Sequence, residues 1–506
     1  MTGRTSINIT GNTVHHNVDD SDDQFNILAD ASLLLRGVDV LTDDAIVGTG
    51  LVRVSGQTAI DDSLTLDDAV TFANAGFVTQ NDTNLTIGLT SSDAATVRNE
   101  AGATWQLVNN AQITGAGASE FVNRGLLEQT GGLGGGSTGG TSIIDTNFID
   151  RGGEILIYGT LEFQSAVNRF VNAEIVGTNG DTFYLSDGLL DGDTVSVSNV
   201  DLLNARIAGD VFIGAENFFS DHLNLGAGAV LTLDSLTDRL ELGEIIGSGE
   251  IDIKGDDSQV GADDLVLAGA VTLDNYGNTT FDGSFNLSGL GTRITATASE
   301  GDQITIENHA GATWTDTNAF ATFTSDSGTS ATFYNNGEFR DFTISGTSFD
   351  MDVVNNGVME AGPWVTFEDV PLYGGYAFAD AVTGTGTIEI GFDPVAALAL
   401  VGGGQTLEFT PVPSGVPNPT LTLNDVQEFS GLITGFDQNG ATTDQLIVNS
   451  ATWHYQDFVA NGGGTGGSLM FTNGSAETAV NLSGSYDPTD FVGVGSGSQT
   501  TITYTG

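Results

Sequence analysis

Two stretches decide how this chain is read: Val97-Arg-Asn-Glu-Ala-Gly-Ala-Thr-Trp105 and Ile306-Glu-Asn-His-Ala-Gly-Ala-Thr-Trp314. They are one phrase written twice, with only the first, second and fourth positions changed. A looser form, apolar-x-Asn-x-Gly-x-apolar, surrounds them as Phe121-Val-Asn-Arg-Gly-Leu-Leu127, Phe333-Tyr-Asn-Asn-Gly-Glu-Phe339 and Val353-Val-Asn-Asn-Gly-Val-Met359, with a degenerate copy at Phe170-Val-Asn-Ala-Glu-Ile175. The shared Asn recurs after 24 residues (99 to 123), 27 (308 to 335) and 20 (335 to 355). A repeat of that length, made of short strands and turn residues, is one circuit of a three-strand coil whose apolar side only a stacked neighbour can shield.

The phrase has a mechanism. A strand ends and Asn takes a corner where φ can turn positive. Gly then completes the bend and the next strand begins. The expected corner pairs are Asn99 with Gly102, Asn123 with Gly125, Asn308 with Gly311, Asn335 with Gly337, and Asn355 with Gly357. In stacked coils the equivalent amides can hydrogen-bond to one another as a ladder.

Working outward, short β-type runs such as Glu154-Ile-Leu-Ile-Tyr158, Val230-Leu-Thr-Leu233 and Thr387-Ile-Glu-Ile390 recur between turn residues, and helical periodicity is nearly absent. A second phrase, Gly-x-Gly followed at once by a strand, stands at Gly48-Thr-Gly50, Gly247-Ser-Gly249 and Gly384-Thr-Gly386. Dinucleotide binding needs a helix after such a loop, so these glycines are corners. The expected architecture is all-β: a right-handed parallel β-helix (β-solenoid) with a small C-terminal β module. Its expected divisions are 1–25 (a cap or assembly strand), 26–400 (the solenoid body), 401–420 (a Gly/Pro-rich linker holding Pro411, Pro413, Pro417 and Pro419) and 421–506 (the module).

Composition narrows the chemistry. The 506 residues carry 66 Asp plus Glu against 12 Lys plus Arg, a formal net charge of −54, with Lys254 the only lysine. Such a surface repels nucleic acid and anionic membranes and is relieved by screening salt or divalent cations. Cysteine is absent, which removes disulfides, zinc thiolates and cysteine nucleophiles. No basic segment followed by an apolar run opens the chain, and no window is long and apolar enough to span a membrane as a helix.

The residues from Leu421-Thr-Leu-Asn-Asp-Val-Gln-Glu-Phe-Ser-Gly-Leu-Ile-Thr-Gly-Phe436 through Asp444-Gln-Leu-Ile-Val448 to Thr501-Ile-Thr-Tyr504 resemble the C-terminal module of β-strand-repeat surface proteins that alphaproteobacteria export by type I secretion. The resemblance rests on an F-x-G-x-I-x-G-F phrase and covers roughly the last 90 residues. It implies an extracellular or cell-surface location and an export signal at the C-terminal end. The upstream coils resemble, more loosely, the passengers of haemagglutinin-type adhesins. There is no autotransporter barrel and no Gly-Gly-x-Gly-x-Asp calcium array, since Gly131–Gly136 and Gly462–Gly467 lack the metal-binding Asp.

The expected function is therefore that of a secreted structural protein, a self-assembling subunit of a filament, S-layer or matrix. Its partners are further copies of itself, or a cell-surface polysaccharide. The alternatives are a monomeric adhesin that binds glycans and a carbohydrate-active β-helix enzyme. Asp19, Asp20, Asp22 and Asp23 are dense enough to offer oxygens to Ca²⁺, although acidic pairs such as Asp43-Asp44 and Asp67-Asp68 are in most cases solvated turns. A lyase needs clustered Arg or Lys, and the cations look scattered singly along the chain. The histidines (His15, His16, His222, His309, His454) are likewise dispersed, so no catalytic residue is expected. His309 reads as an exposed corner residue. Trp105 and Trp314 occupy equivalent repeat positions and read as core or coil-edge packing, ahead of a sugar-stacking role for them or for Trp364 and Trp453.

Overall fold

The computed structural model describes residues 6–506 apart from 16–18, 22, 132–139, 179, 215, 235–237, 256–257, 261–263, 282–291, 298–301, 317–320, 327–328, 342–345, 362–364, 368–369, 373–375, 392–394, 412–418 and 438–442. Trp364 and Asp22 therefore lie outside the described residues. The chain forms two compact units, Met1–Leu236 and Thr237–Gly506. Both are built from short strands that pair in parallel with the strand one circuit earlier and one circuit later. The chain is a parallel β-solenoid. The one helical element among the described residues is the 3-10 turn Pro488–Asp490, and no helix is long and apolar enough to cross a membrane.

In the first unit each circuit lays down three strands. One face collects Ser32–Leu35, Leu51–Val54, Thr71–Asn74, Thr96–Asn99, Glu120–Asn123 and Asn147–Asp150, each in register with the next. The following face collects Thr104–Val108, Leu126–Thr130, Glu154–Ile157 and Glu174–Gly177. Strand alternation sends every second side chain inward, so Val97, Trp105, Leu107, Phe121, Leu127 and Ile155 are all fully buried. Phe72, Trp105 and Phe121 meet edge to face at centroid distances of 5.9 and 5.2 Å. Phe148, Phe163, Phe170 and Phe183 continue the contact. The second unit repeats the device with Trp314, Phe323, Phe333, Phe339 and Phe349. Trp105 and Trp314 are core residues with 0% exposure, and Trp453 is buried as well.

The expected divisions shift at both ends. Ser6–Ile9, Asn12–His15 and Asp19–Ser21 pair in parallel with Gln24–Ile27, Ser32–Leu35 and Val40–Thr42, so residues before 26 form a coil of the body itself. The expected linker over 401–420 is also coil. Thr406–Phe409 lies in register with Thr387–Ile390 and with Leu432–Thr434, and Thr420–Leu423 pairs with Gln445–Val448. Pro413 and Pro417 lie outside the described residues. Pro419 keeps its ladder role, its carbonyl accepting the Gln445 N–H at 2.9 Å. The antiparallel module begins only after that. His454–Ala460, Gly466–Thr472 and Glu477–Ser483 form a meander, and Phe491–Ser496 pairs with Gln499–Tyr504, which in turn runs antiparallel along Gln445–Val448.

Candidate functional site

The corner asparagines converge. Asn99, Asn123, Asn308, Asn335 and Asn355 each end a strand and point inward with 0% exposure. In the first unit Asn74 Nδ2 donates to Asn99 Oδ1 (2.9 Å), Asn99 to Asn123 (2.8 Å), and Asn123 to Asp150 Oδ2 (2.7 Å). In the second, Asn275 donates to Asn308 (2.9 Å), Asn308 to Asn335 (2.8 Å), Asn335 to Asn355 (2.9 Å), and Asn355 to Gln405 Oε1 (3.1 Å). The second amide hydrogen goes to a backbone carbonyl on the next coil, as Asn308 does with Glu338 and Asn335 with Val358, except at Asn123, where it goes to the Gly125 carbonyl of its own corner. Asn74 and Asn275 also fit the apolar-x-Asn-x-Gly form, in Phe72-Ala-Asn-Ala-Gly76 and Leu273-Asp-Asn-Tyr-Gly277, and were overlooked.

Two details of the corner depart from expectation. None of these ladder asparagines has a positive φ; the degenerate copy does, at Asn172 (φ 51°), and there the side chain is exposed. The glycines divide into two kinds. Gly102 and Gly311 take φ of 80° and 90° with open space around them, whereas Gly125, Gly337 and Gly357 are pressed against carbonyls of the coil below. At the Gly-x-Gly corners the first residue is left-handed, with φ of 107° at Gly48, 124° at Gly247 and 102° at Gly384, and a strand follows each.

The expected calcium run lies largely outside the described residues. Asp19 and Asp20 belong to the strand Asp19–Ser21, their side chains lying outside the described set together with Asp22, and Asp23 uses its backbone N–H to reach Asp44 Oδ1 at 3.0 Å. A denser group forms in the second unit, where Asp252, Asp274 and Glu307 fall in one register column across three coils. Glu250 joins from two residues earlier. Over them lies a lid of the residues that follow each strand or ladder Asn: Lys254, Tyr276 and His309. The His309 ring stacks on Tyr276 at 3.9 Å, with Nε2 facing Asp274 Oδ1 at 3.5 Å and Nδ1 facing Glu307 Oε1 at 3.4 Å. Lys254 Nζ sits 2.9 Å from Asp252 and 5.5 Å from the Tyr276 ring centre. His309, expected as an exposed corner, is thus half-buried because its neighbour is an aromatic ring. The Asp274 side chain is 8% exposed and its Oδ1 makes no hydrogen bond.

Electrostatics follow from this crowding. Burial, with Glu307 alongside, pushes the Asp274 carboxyl up to about 6, and a shared hydrogen bond with Asp252 pushes Glu250 up to about 7. Ligand atoms of Asp274, Glu307 and His309 lie within 4.8 Å of one another, as do those of Glu250, Asp252 and Asp274, so either set is able to hold a divalent cation. Without one, the buried charge opposes folding. Between about pH 4 and 6 the folded chain holds the Asp274 proton that the unfolded chain has released, so this group's contribution to stability falls as pH rises through that window. Asp274→Asn is therefore expected to stabilise the second unit by about 1–3 kcal/mol at pH 8 in EDTA and by almost nothing at pH 4. Denaturant titrations at the two pH values check it; an equal effect at both would refute it.

The arginines, read as scattered, are also gathered. In the first unit Leu34, Arg53, Ala73, Arg98, Val122, Ile149, Arg169, Leu189 and Arg206 form one outward register column. Arg36, Arg124 and Arg151 stand at the adjoining corner, where the Arg124 and Arg151 N–H groups bond to the carbonyls of Asn99 and Asn123. All seven are exposed, and they are all of the arginines among the described residues of that unit. Sequence reasoning missed them because it compared neighbours along the chain. Counting from the repeat Asn would have found them, since Arg98 lies one residue before Asn99 and Arg124 one residue after Asn123.

No family model matches the chain, and no curated protein and no solved structure matches it. The class, a parallel β-solenoid with amide-laddered corners, is defined by the coils themselves.

Proposed function

We propose that this chain is an exported structural protein of a bacterial surface, a subunit that builds a filament, layer or matrix with copies of itself and performs no catalysis. The observation that carries the reading is the coil-to-coil bonding. The corner amides are spent on holding one coil to the next, between columns of buried aromatic and aliphatic side chains. That is a construction for stacking. Export is supported by the C-terminal phrase Phe429-Ser-Gly-Leu-Ile-Thr-Gly-Phe436 and by a charge of −54 that is best tolerated where salt and divalent cations, calcium among them, are plentiful.

Negative-stain electron microscopy and sedimentation of the purified chain, in millimolar Ca²⁺ and in EDTA, test the reading together. Polymers that lengthen in Ca²⁺ and shorten in EDTA are expected. A chain that stays monomeric in both, or one that cleaves polysaccharide, would replace this reading by the monomeric adhesin or the carbohydrate-active enzyme respectively.

A further inference from the structure

On a chain with 66 acidic residues, one stripe is basic. Across nine successive coils of the first unit, from the one that ends at Arg36 to the one that holds Arg206, seven carry one exposed arginine each, at either the outward column or the corner beside it. The coils without one hold Ala73 and Leu189 at the column, neutral residues. At a strand spacing of about 4.8 Å the stripe is on the order of 38 Å long. Its centre is the densest part, with Arg98, Arg124, Arg151 and Arg169 on four consecutive coils. Here an open hollow of 380 Å³ is lined by Ile149, Arg151, Gly152, Arg169, Val171 and Asn172. Four carboxylates border the stripe: Glu100 at the corner, Glu120 and Asp187 each two residues before the column, and Asp191, 4.0 Å from the Arg169 guanidinium. Glu154 and Glu174 open the next face. The seven arginines outnumber the four acids that border them.

We propose that this stripe binds an extended, carboxylate-bearing polysaccharide laid along the solenoid. Four arguments favour that occupant. The cations are all arginine, whose planar fork pairs two N–H groups with one carboxylate, where lysine offers only a point charge. They repeat coil by coil, so a polymer with regularly placed carboxylates meets several at once, each pairing weak alone and additive in number. The central hollow adds an amide side chain and two apolar walls between two guanidinium groups, which suits a sugar ring. Finally, the surrounding −54 charge opposes a nucleic-acid duplex, with one charge per about 1.7 Å, more than a glycan with one carboxylate per sugar. The proposal does not depend on self-assembly.

The test is binding of the full chain to polygalacturonate, to uncharged dextran and to a single-stranded DNA oligonucleotide, by biolayer interferometry at about 50 and 150 mM salt. Polygalacturonate is expected to bind, more weakly at the higher salt, with no binding of dextran. The triple variant Arg124→Gln, Arg151→Gln, Arg169→Gln is expected to lose about tenfold or more in affinity while keeping the wild-type circular dichroism and melting curve, because all three side chains are exposed. Arg293→Gln, on the second unit, serves as the variant expected to bind like the wild type. Absence of polygalacturonate binding at the lower salt, an unaltered triple variant, or DNA binding as strong as that of polygalacturonate would each overturn the proposal. If the triple variant instead loses self-association in the sedimentation experiment and polygalacturonate binding is unchanged, the occupant is a second copy of the chain and the proposal falls.

Discussion

Asn335→Ala is expected to destabilise the second unit by about 3–5 kcal/mol. The Asn335 side chain is wholly buried and makes three hydrogen bonds. Its Oδ1 accepts from Asn308 Nδ2 at 2.8 Å, and its Nδ2 donates to Asn355 Oδ1 and to the Val358 carbonyl, each at 2.9 Å. Alanine removes all of them and leaves those partners facing a void that is too enclosed for ready hydration, with each orphaned group costing about 1–3 kcal/mol. The Asn335→Asp variant should be nearly as harmful, for a reason visible in the first unit. There Asp150 stands in a ladder position, accepts from Asn123 at 2.7 Å and takes the Gly153 N–H on its other oxygen, but as a carboxylate it has no hydrogen to pass on. Asn335→Asp therefore stops the ladder at that rung and also buries a charge. Guanidinium denaturation followed by far-UV circular dichroism measures both; a loss below about 1 kcal/mol for the alanine variant would mean the amides are not bonded as described.

Gly357→Ala is expected to be worse than an ordinary glycine replacement, at about 4 kcal/mol or more, or to prevent folding of the second unit. A Cβ at Gly357 would stand 1.9 Å from the Gly337 carbonyl oxygen, a backbone atom held in its own coil. Relief requires prising two coils apart, which breaks the ladder beside it. Gly311→Ala is the informative comparison: nothing lies within 4 Å of its Cβ position, and its cost is the left-handed φ of 90° alone, about 1–2 kcal/mol. Equal destabilisation by the two variants, read from the same denaturation curves, would contradict the difference in packing.

These residues also show how far the sequence could be read. The near-verbatim repeat made the strand-corner-strand unit legible, and with it the parallel coil and the inward position of Trp105 and Trp314. The conformation at the corner was less legible, because Asn and Gly are frequent both where φ is positive and where a side chain must bond inward or a backbone must pass close; only the stacked neighbour distinguishes these cases. Domain limits were misjudged at 401–420 since Pro and Gly report local chain geometry, which is the same in a linker and in a loop between coil strands. The acidic–histidine group and the arginine stripe escaped for a third reason. Asp252, Asp274 and Glu307 are 22 and 33 residues apart, so their proximity depends on the length of each individual circuit, and those lengths vary.

That variation carries its own consequence. Successive ladder members are separated by 25, 24 and 27 residues in one unit and by 33, 27, 20 and 50 in the other, yet the side-chain bonds all stay between 2.7 and 3.1 Å. The ladder acts as a ruler that ignores whatever hangs between its marks. Extra residues between ladder positions leave these bonds unchanged, while a single-residue deletion within Thr332–Asn335 would turn every following side chain of that strand to the wrong face. A lineage carrying this architecture can therefore decorate its coils freely but can lengthen or shorten the stack only by whole circuits.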